Sequence, residues 1–331
     1  MDSARASPAD RPRLLITRRV FDEVLARLAL HFEIDANQAD EEWPRETLLD
    51  RAADCDALFV VASDRVDEAL LGQCPRLRCV ATGSVGFNHI DVAACAQRGI
   101  VVTNTPEVLT EATADMAFTL LMSAARRVTE SERWLREGQW QRWAFDQFLG
   151  QDVWGTTIGI VGMGRIGSEV ARRARGFDMR VLYHNRSAAP NEAELGAQRV
   201  SLDALLAESD HVVLVLPYSP ATHHLIGAEQ LARMKPTATL VNIARGGIVD
   251  DAALARALRE GRLFAAGLDV YENEPAVHPE LLALSNVVLT PHIGSATRSS
   301  RVGMAMLAAD NLVAWAGGQA LVTPVAVPGQ V

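Results

Sequence analysis

Lysine is almost absent from this chain. Lys235 is the single one among 32 basic residues. That scarcity removes two chemistries. A Walker phosphate loop needs a lysine inside G-x-x-x-x-G-K-[ST], and Lys235 stands in Met-Lys-Pro with no such loop. A Schiff-base mechanism would have to run through Lys235 alone. Cysteine is also sparse. Cys55, Cys74, Cys79 and Cys95 form no C-x-x-C pair, and no histidine pair follows at zinc spacing. The four read as small buried hydrophobes in a reducing compartment, and a zinc-dependent dehydrogenase or other metal enzyme is not expected. Aromatics make up only 5% of the residues although 49% are apolar. The apolar residues are mostly Ala, Val and Leu, which suits stacked helices and buried parallel strands. No apolar run approaches transmembrane length, and the first dozen residues lack the apolar centre of a signal peptide. These features predict a cytoplasmic protein with a short disordered N-terminal arm and no membrane partner. The net charge of −9 argues against nucleic acid as a partner.

A length of 331 residues predicts two domains. In the first third, Leu14–Ile16, Ala57–Val61, Arg78–Ala81 and Ile100–Val102 read as strands, with a helix from Phe21 to Leu30. A long helix is predicted from Thr110 to Arg127, ending in two arginines that suit a helix C-terminus. A tryptophan-rich connection follows, with Trp134, Trp140, Trp143 and Trp154. A second alternating series begins at Thr157–Val161. It continues through strands at Arg180–Tyr183, His211–Leu216, Thr239–Asn242, Ala265–Leu268 and Val287–Leu289, and a helix from Thr297 to Trp315 comes last. Strands alternating with helices predict parallel sheets covered on both faces.

Gly162-Met163-Gly164-Arg165-Ile166-Gly167 directly follows one predicted strand and opens a helix running to Arg175. In that setting G-x-G-x-x-G is the pattern of a dinucleotide pyrophosphate site. Its glycines permit the tight turn, the close approach of the ligand and the packing of helix on strand. The next strand ends in Asn185-Arg186-Ser187, where an NAD site usually carries an acid for the ribose 2′-hydroxyl. Asp178 lies at the other end of that strand. A guanidinium flanked by neutral polar side chains would bind a 2′-phosphate, so the turn predicts NADPH over NADH.

Three later segments each follow a predicted strand: Asn242-Ile243-Ala244-Arg245-Gly246-Gly247, Gly267 to Pro275, and Thr290-Pro291-His292-Ile293-Gly294. In an open parallel sheet the strand C-termini share one crevice. Arg245, Asp269, Glu274 and His292 can therefore converge although far apart in sequence.

From about Leu14 to Leu312 the chain resembles the D-isomer-specific 2-hydroxyacid dehydrogenase family. Val161–Gly167, Ala244-Arg245-Gly246, Leu268-Asp269-Val270 with Glu274-Pro275, and Pro291-His292 carry that resemblance, in the family's order. It implies two doubly wound α/β domains. A Rossmann nucleotide domain (107–290) would be inserted into a flavodoxin-like substrate domain (1–106 and 291–331). It implies reduction of a 2-keto acid to the D-2-hydroxy acid by hydride from a nicotinamide cofactor. Arg245, Glu274 and His292 would then be the catalytic trio. Arg245 would clasp the substrate carboxylate and polarise the keto oxygen. His292 would donate the proton, and Glu274 would hold the imidazole and favour its charged form. Leu216, Pro217, Ile243, Ala244, Asp269 and Gly294 would join the Gly162–Gly167 loop and the 185–187 turn in holding the cofactor, with Asp269 at the nicotinamide end. Upstream, Ala81 to Asp91 resembles the family's substrate loop, whose backbone N–H groups at Val85 and Gly86 would bind the carboxylate. His89 and Asp91 read as caps of the following helix.

Within the family the closest resemblance is to NADPH-dependent glyoxylate/hydroxypyruvate and 2-ketogluconate reductases, on the Asn185–Ser187 turn and the Trp140–Trp143 stretch. In that branch, a dimer partner's tryptophan can lie over the active site, so a homodimer is expected. Simple packing accounts for these tryptophans equally well. A regulatory extension of the kind many phosphoglycerate dehydrogenases carry is not expected. Glu274 stands where formate dehydrogenases carry Gln. A D-lactate- or D-3-phosphoglycerate-type dehydrogenase using NADH, and a dinucleotide-sensing corepressor, are the alternatives.

Overall fold

A computed structural model describes residues 11–327. The predicted N-terminal arm falls largely outside them. The chain forms two compact units, residues 11–109 with 297–327, and 110–296.

The first unit runs β1 (Arg13–Ile16), α1 (Asp22–Leu28), β2 (Glu33–Ala36), α2 (Arg45–Ala52), β3 (Ala57–Val60), α3 (Glu68–Gln73), β4 (Cys79–Thr82), α4 (Val92–Gln97) and β5 (Val101–Thr103). Its five strands are all parallel, in the order β2-β1-β3-β4-β5. That is the flavodoxin-like order. The two-residue period of the strands divides the core into two. Leu15, Leu58, Val60 and Val80 enter one cluster, which packs against α2, α3 and α4. Leu14, Ile16, Ala57 and Phe59 enter the other, with Val24 and Leu28 of α1 and Ala308 and Leu312 of the C-terminal helix.

The second unit runs α5 (Thr110–Ala125), α6 (Val128–Arg136), β6 (Thr157–Val161), α7 (Arg165–Arg175), β7 (Arg180–His184), α8 (Glu192–Leu195), β8 (Ala197–Arg199), α9 (Leu202–Glu208), β9 (His211–Leu214), α10 (Ala228–Arg233), β10 (Thr239–Asn242), α11 (Asp251–Arg259), β11 (Ala265–Leu268), α12 (Pro279–Ala283) and β12 (Val287–Leu289). Helix α13 (Arg298–Ala316) then returns to the first unit. The seven parallel strands stand in the order β12-β11-β10-β9-β6-β7-β8. The order reverses between β6 and β9. At such a switch point two loops leave in opposite directions and open a crevice at the strand C-termini. Helix α5 lies close on the sheet because β11 presents Gly267 to it. A Cβ there would come within 2.8 Å of the Leu120 Cβ.

The predicted α/β class and parallel sheets are borne out. Two strands were not foreseen, β2 and β8. Both are edge strands whose residues are only partly buried or exposed, so neither carries an apolar pattern. β9 stops at Leu214, short of the predicted Leu216, where the chain turns past Gly162. The units also divide at 109/110 and 296/297 rather than at 106/107 and 290/291. Residues 291–296 stay with the second unit because His292, Ile293 and Gly294 are hydrogen-bonded to Asp269. Among the described residues no helix is long and apolar enough to cross a membrane.

Candidate active site

The glycine-rich loop leaves β6 at the switch point, and its glycines divide the work. Gly162 has φ +107, and a Cβ there would lie 2.9 Å from the backbone of Val215 and Leu216. A Cβ on Gly167 would lie 2.1 Å from the Gly162 carbonyl oxygen. These two are required by the protein's own packing. Gly164 is different, because a Cβ there would meet nothing within 4 Å. It is the N-cap of α7 and offers no side chain to the first turn. The first-turn N–H groups of this eleven-residue helix have no side-chain cap, and Gly164 and Arg165 are exposed. This cradle fits a pyrophosphate.

Beside it, Asn185 does something the sequence did not suggest. Its Oδ1 accepts from Met163 N–H at 2.7 Å, and its Nδ2 donates to the Met163 carbonyl at 3.3 Å. The side chain pins the glycine loop to the end of β7. Arg186 and Ser187 are exposed. Arg199, overlooked in the sequence, braces this turn by donating to the carbonyls of Asn185 and Arg186. It sits on β8, an edge strand with no apolar signal. Asp178 stands at the other end of β7 and accepts from Trp154 Nε1 at 3.0 Å.

Arg245, Glu274 and His292 come from the loops after β10, β11 and β12, three adjacent strands. Asn242 shapes the first loop. Its Oδ1 accepts from Ala244 N–H and its Nδ2 donates to the Arg245 carbonyl, both at 3.1 Å. Gly246 lets that loop touch the next one, since a Cβ would fall 1.6 Å from the Tyr271 carbonyl oxygen. Arg245 Nη1 donates to the Ala244 carbonyl at 2.7 Å. Burial pulls its pKa down, and the nearby Glu274 charge opposes that. A partly desolvated guanidinium with no carboxylate bonded to it among the described residues can take an anionic ligand.

Glu274 uses both oxygens. Oε1 accepts from Tyr271 N–H at 3.0 Å, and Oε2 lies 2.7 Å from His292 Nδ1. Burial alone would raise its pKa. The bond and charge of His292, then Tyr271 N–H and Arg245, outweigh that and hold it below the ordinary carboxylate value. His292 itself adopts φ +53, a costly backbone conformation for a residue with a Cβ. Asp269 holds it there. The Asp269 carbonyl accepts from His292 N–H at 2.9 Å, and its buried carboxylate accepts from Thr290 Oγ1, Ile293 N–H and Gly294 N–H at 2.7–2.8 Å. The sequence reading gave Asp269 to the nicotinamide end. The structure commits its oxygens to the turn that presents His292. Leu216 and Pro217 follow β9 at the switch point, and Ile243 and Ala244 are buried at the end of β10.

In the first unit, the 84–86 turn follows β4. The carbonyls of Ser84, Val85 and Gly86 are taken by Thr105 N–H, Asn104 Nδ2 and Ser84 Oγ. No acceptor among the described residues is paired with the N–H of Val85 or Gly86. Asp91 caps α4 as expected, accepting from Ala94 N–H at 2.9 Å. His89 does not. Its Nε2 lies 3.1 Å from Thr82 Oγ1, which keeps the ring beside β4 rather than over the helix end.

A doubly wound sheet with a pyrophosphate cradle and an Arg–Glu–His cluster at its C-terminal edge defines a nicotinamide-dependent oxidoreductase. The profile of the family "D-isomer specific 2-hydroxyacid dehydrogenase, NAD binding domain" matches residues 118–294. The glyoxylate reductase of Thermococcus kodakarensis is 52% identical over 314 residues, 93% of this chain and 94% of that protein. The glyoxylate reductase of Thermococcus onnurineus is 50% identical over the same length and shares. Among solved structures, the NADPH-dependent glyoxylate/hydroxypyruvate reductase of Sinorhizobium meliloti, in complex with NADP and malonate, has a TM-score of 0.85. It is 36% identical, with coverage of 96% of this chain and 97% of that one. The chain belongs to the D-isomer-specific 2-hydroxyacid dehydrogenase family and is an NAD(P)-dependent oxidoreductase.

Proposed function

We propose that the protein reduces a small 2-keto acid, with glyoxylate or hydroxypyruvate foremost, to the D-2-hydroxy acid, and prefers NADPH. The observation that carries this is the convergence of a half-buried Arg245 with the Glu274–His292 pair on adjacent strand ends. The bound dinucleotide supplies the hydride. Arg245 binds the carboxylate and draws electron density toward the keto oxygen. Glu274 fixes the ring through Nδ1, so Nε2 of the protonated imidazole is the atom that gives its proton to that oxygen. Asp269 is a positioning residue for His292 as well as a candidate neighbour of the nicotinamide. The free N–H groups of Val85 and Gly86 are assigned to carboxylate recognition, as in an anion nest. The glyoxylate reductase relatives support the substrate class.

For the cofactor, Arg186 and Ser187 are assigned to the 2′-phosphate, on a turn with no acid of its own. The Sinorhizobium meliloti enzyme, solved with NADP, supports this choice. A homodimer is proposed on the stretch 128–154. There α6 buries no residue, and Leu135, Trp140, Trp143, Phe145, Leu149 and Trp154 are all more than half exposed. A cytoplasmic location is proposed from the cysteines. All four are free and buried, and burial pushes Cys79 up to about 12 and the other three to about 11.

The test is a steady-state panel of glyoxylate, hydroxypyruvate, pyruvate and 2-ketogluconate, each with NADPH and NADH. The expected result is the highest kcat/KM for glyoxylate or hydroxypyruvate with NADPH. Equal or better efficiency with NADH would refute the cofactor assignment. Absence of turnover with every keto acid would refute the function.

A further inference from the structure

The loops after β9 and β11 hold a second cluster that the reaction does not use. His223, His224 and Glu272 bring one ligand atom each to within 4.8 Å of one another, the one such group found among the described residues. His224 Nε2 lies 2.8 Å from Glu272 Oε1. The rings of His223 and His224 stack, with centroids 3.9 Å apart and planes at 22°. Neighbouring side chains of an extended chain point to opposite sides. These two share a side because His224 takes φ +50. The conformation is held from outside by His224 N–H, which donates to the Gly247 carbonyl at 2.7 Å. His223 Nδ1 faces the Tyr218 hydroxyl at 3.3 Å.

We propose that His223, His224 and Glu272 form a site for a divalent transition metal, with Zn2+ the best match. Two imidazoles and a carboxylate are a mixed nitrogen–oxygen donor set. Zn2+, Ni2+ and Cu2+ accept it, whereas Ca2+ and Mg2+ call for oxygen alone. Three protein ligands leave a fourth tetrahedral position for water. Zinc ligands sit about 2.0–2.2 Å from the ion, so donors spread over 4.8 Å must draw together. The exposed His223 side chain would supply that movement by giving up its long contact with the Tyr218 hydroxyl.

The site would act on the loops that carry the reaction. His224 is tied to Gly247, two residues past Arg245, and Glu272 is two residues before Glu274. A bound ion would tether the loops after β9 and β11 to each other, with the Arg245 loop joined to them through Gly247, and so slow turnover. Zinc-ligand spacing rules could not find this site, because the histidines are adjacent and Glu272 lies 48 residues beyond His224.

The experiment is calorimetric titration of the chelator-treated, full-length protein with ZnCl2, without dinucleotide or keto acid. One Zn2+ per chain at micromolar Kd is expected. His223→Ala and Glu272→Gln should each weaken binding more than about tenfold, the loss seen when even outer partners of metal ligands are removed. His31→Ala, at an exposed histidine elsewhere, should leave it unchanged. Visible absorption of the Co2+-loaded protein gives a second readout, which His223→Ala should abolish at unchanged Tm. No binding up to millimolar Zn2+, or binding indifferent to His223→Ala and Glu272→Gln, would overturn the proposal and leave His224–Glu272 as a plain hydrogen-bonded pair.

Discussion

Glu274→Gln preserves shape and removes one acceptor. In the parent both carboxylate oxygens are used, Oε1 by Tyr271 N–H and Oε2 by His292 Nδ1. Glutamine has a single oxygen. If that oxygen keeps Tyr271, the amide NH2 faces His292 Nδ1 and favours the imidazole without a proton there. If it keeps His292, the NH2 opposes Tyr271 N–H. Either way one donor–acceptor pair is lost, and so is the negative charge facing the protonated ring. A charge-assisted hydrogen bond contributes roughly 1.5–3 kcal/mol. Glu274 and His292 are about a third exposed at 33% and 39%, so solvent screening brings this to about 1–2 kcal/mol. At about 1.4 kcal/mol per tenfold, kcat/KM for keto-acid reduction should fall by about 5–30-fold. The assay is kcat/KM with saturating dinucleotide, alongside Tm. A variant within twofold of the parent at unchanged Tm would refute the role given to this pair.

Other perturbations test the supports of the site. Asp269→Asn leaves one oxygen where two now accept from Thr290, Ile293 and Gly294, so the denaturant midpoint should show a loss of about 1.5–3 kcal/mol, with keto-acid turnover falling as His292 loses its seat. An unchanged midpoint would count against that support. Buried His211 donates from Nε2 to the Asp152 carbonyl and takes the Thr239 hydroxyl at Nδ1, and burial pulls its pKa below the ordinary 6.5. Between those two values the unfolded chain holds the extra proton, so the stability contributed by neutral His211 is full above 6.5 and is lost as pH falls from there. Urea midpoints at about pH 7.5 and about pH 5.5 should draw closer in His211→Gln, and an equal gap would refute the assignment. Trp143→Ser with Phe145→Ser should convert a dimer to a monomer in light scattering, because both rings are exposed on the surface assigned to the partner.

Strand interiors were legible because burial on both faces forces continuous apolar runs, and so were the loops that end them. Arg245, Glu274 and His292 could be placed together from strand order alone, since parallel strands deliver their C-termini to one edge. Side-chain direction within a loop has no such code. Asn185 and Asp269 were read as cofactor neighbours from their positions, and those positions did not reveal that both also hold backbone, at Met163 and at the 290–294 turn. Arg199 was invisible because an edge strand of three residues leaves no periodicity to detect. The His223–His224–Glu272 cluster depends on a left-handed residue that no spacing rule anticipates.

The glycine loop shows how structure divides what a motif presents as one unit. Gly164 and Gly167 are equivalent letters of G-x-G-x-x-G, but their surroundings predict opposite phenotypes. A methyl at 167 would sit 2.1 Å from the Gly162 carbonyl oxygen, a backbone atom with no rotamer to yield. Gly167→Ala should therefore cost about 1–3 kcal/mol or more of folding stability, as overpacking does, whether or not dinucleotide is present. A methyl at 164 would touch no protein atom, and φ there is −90, open to any residue. Gly164→Ala should keep the parent's Tm and denaturant midpoint. It should instead weaken dinucleotide binding, because the methyl projects into the space where the pyrophosphate meets the α7 N–H groups. Fluorescence titration with NADPH and NADH, alongside urea unfolding of both variants, separates the two effects. Parental dinucleotide affinity in Gly164→Ala would mean that the pyrophosphate lies elsewhere, and with it would fall the argument that the open end of α7 is the cofactor cradle.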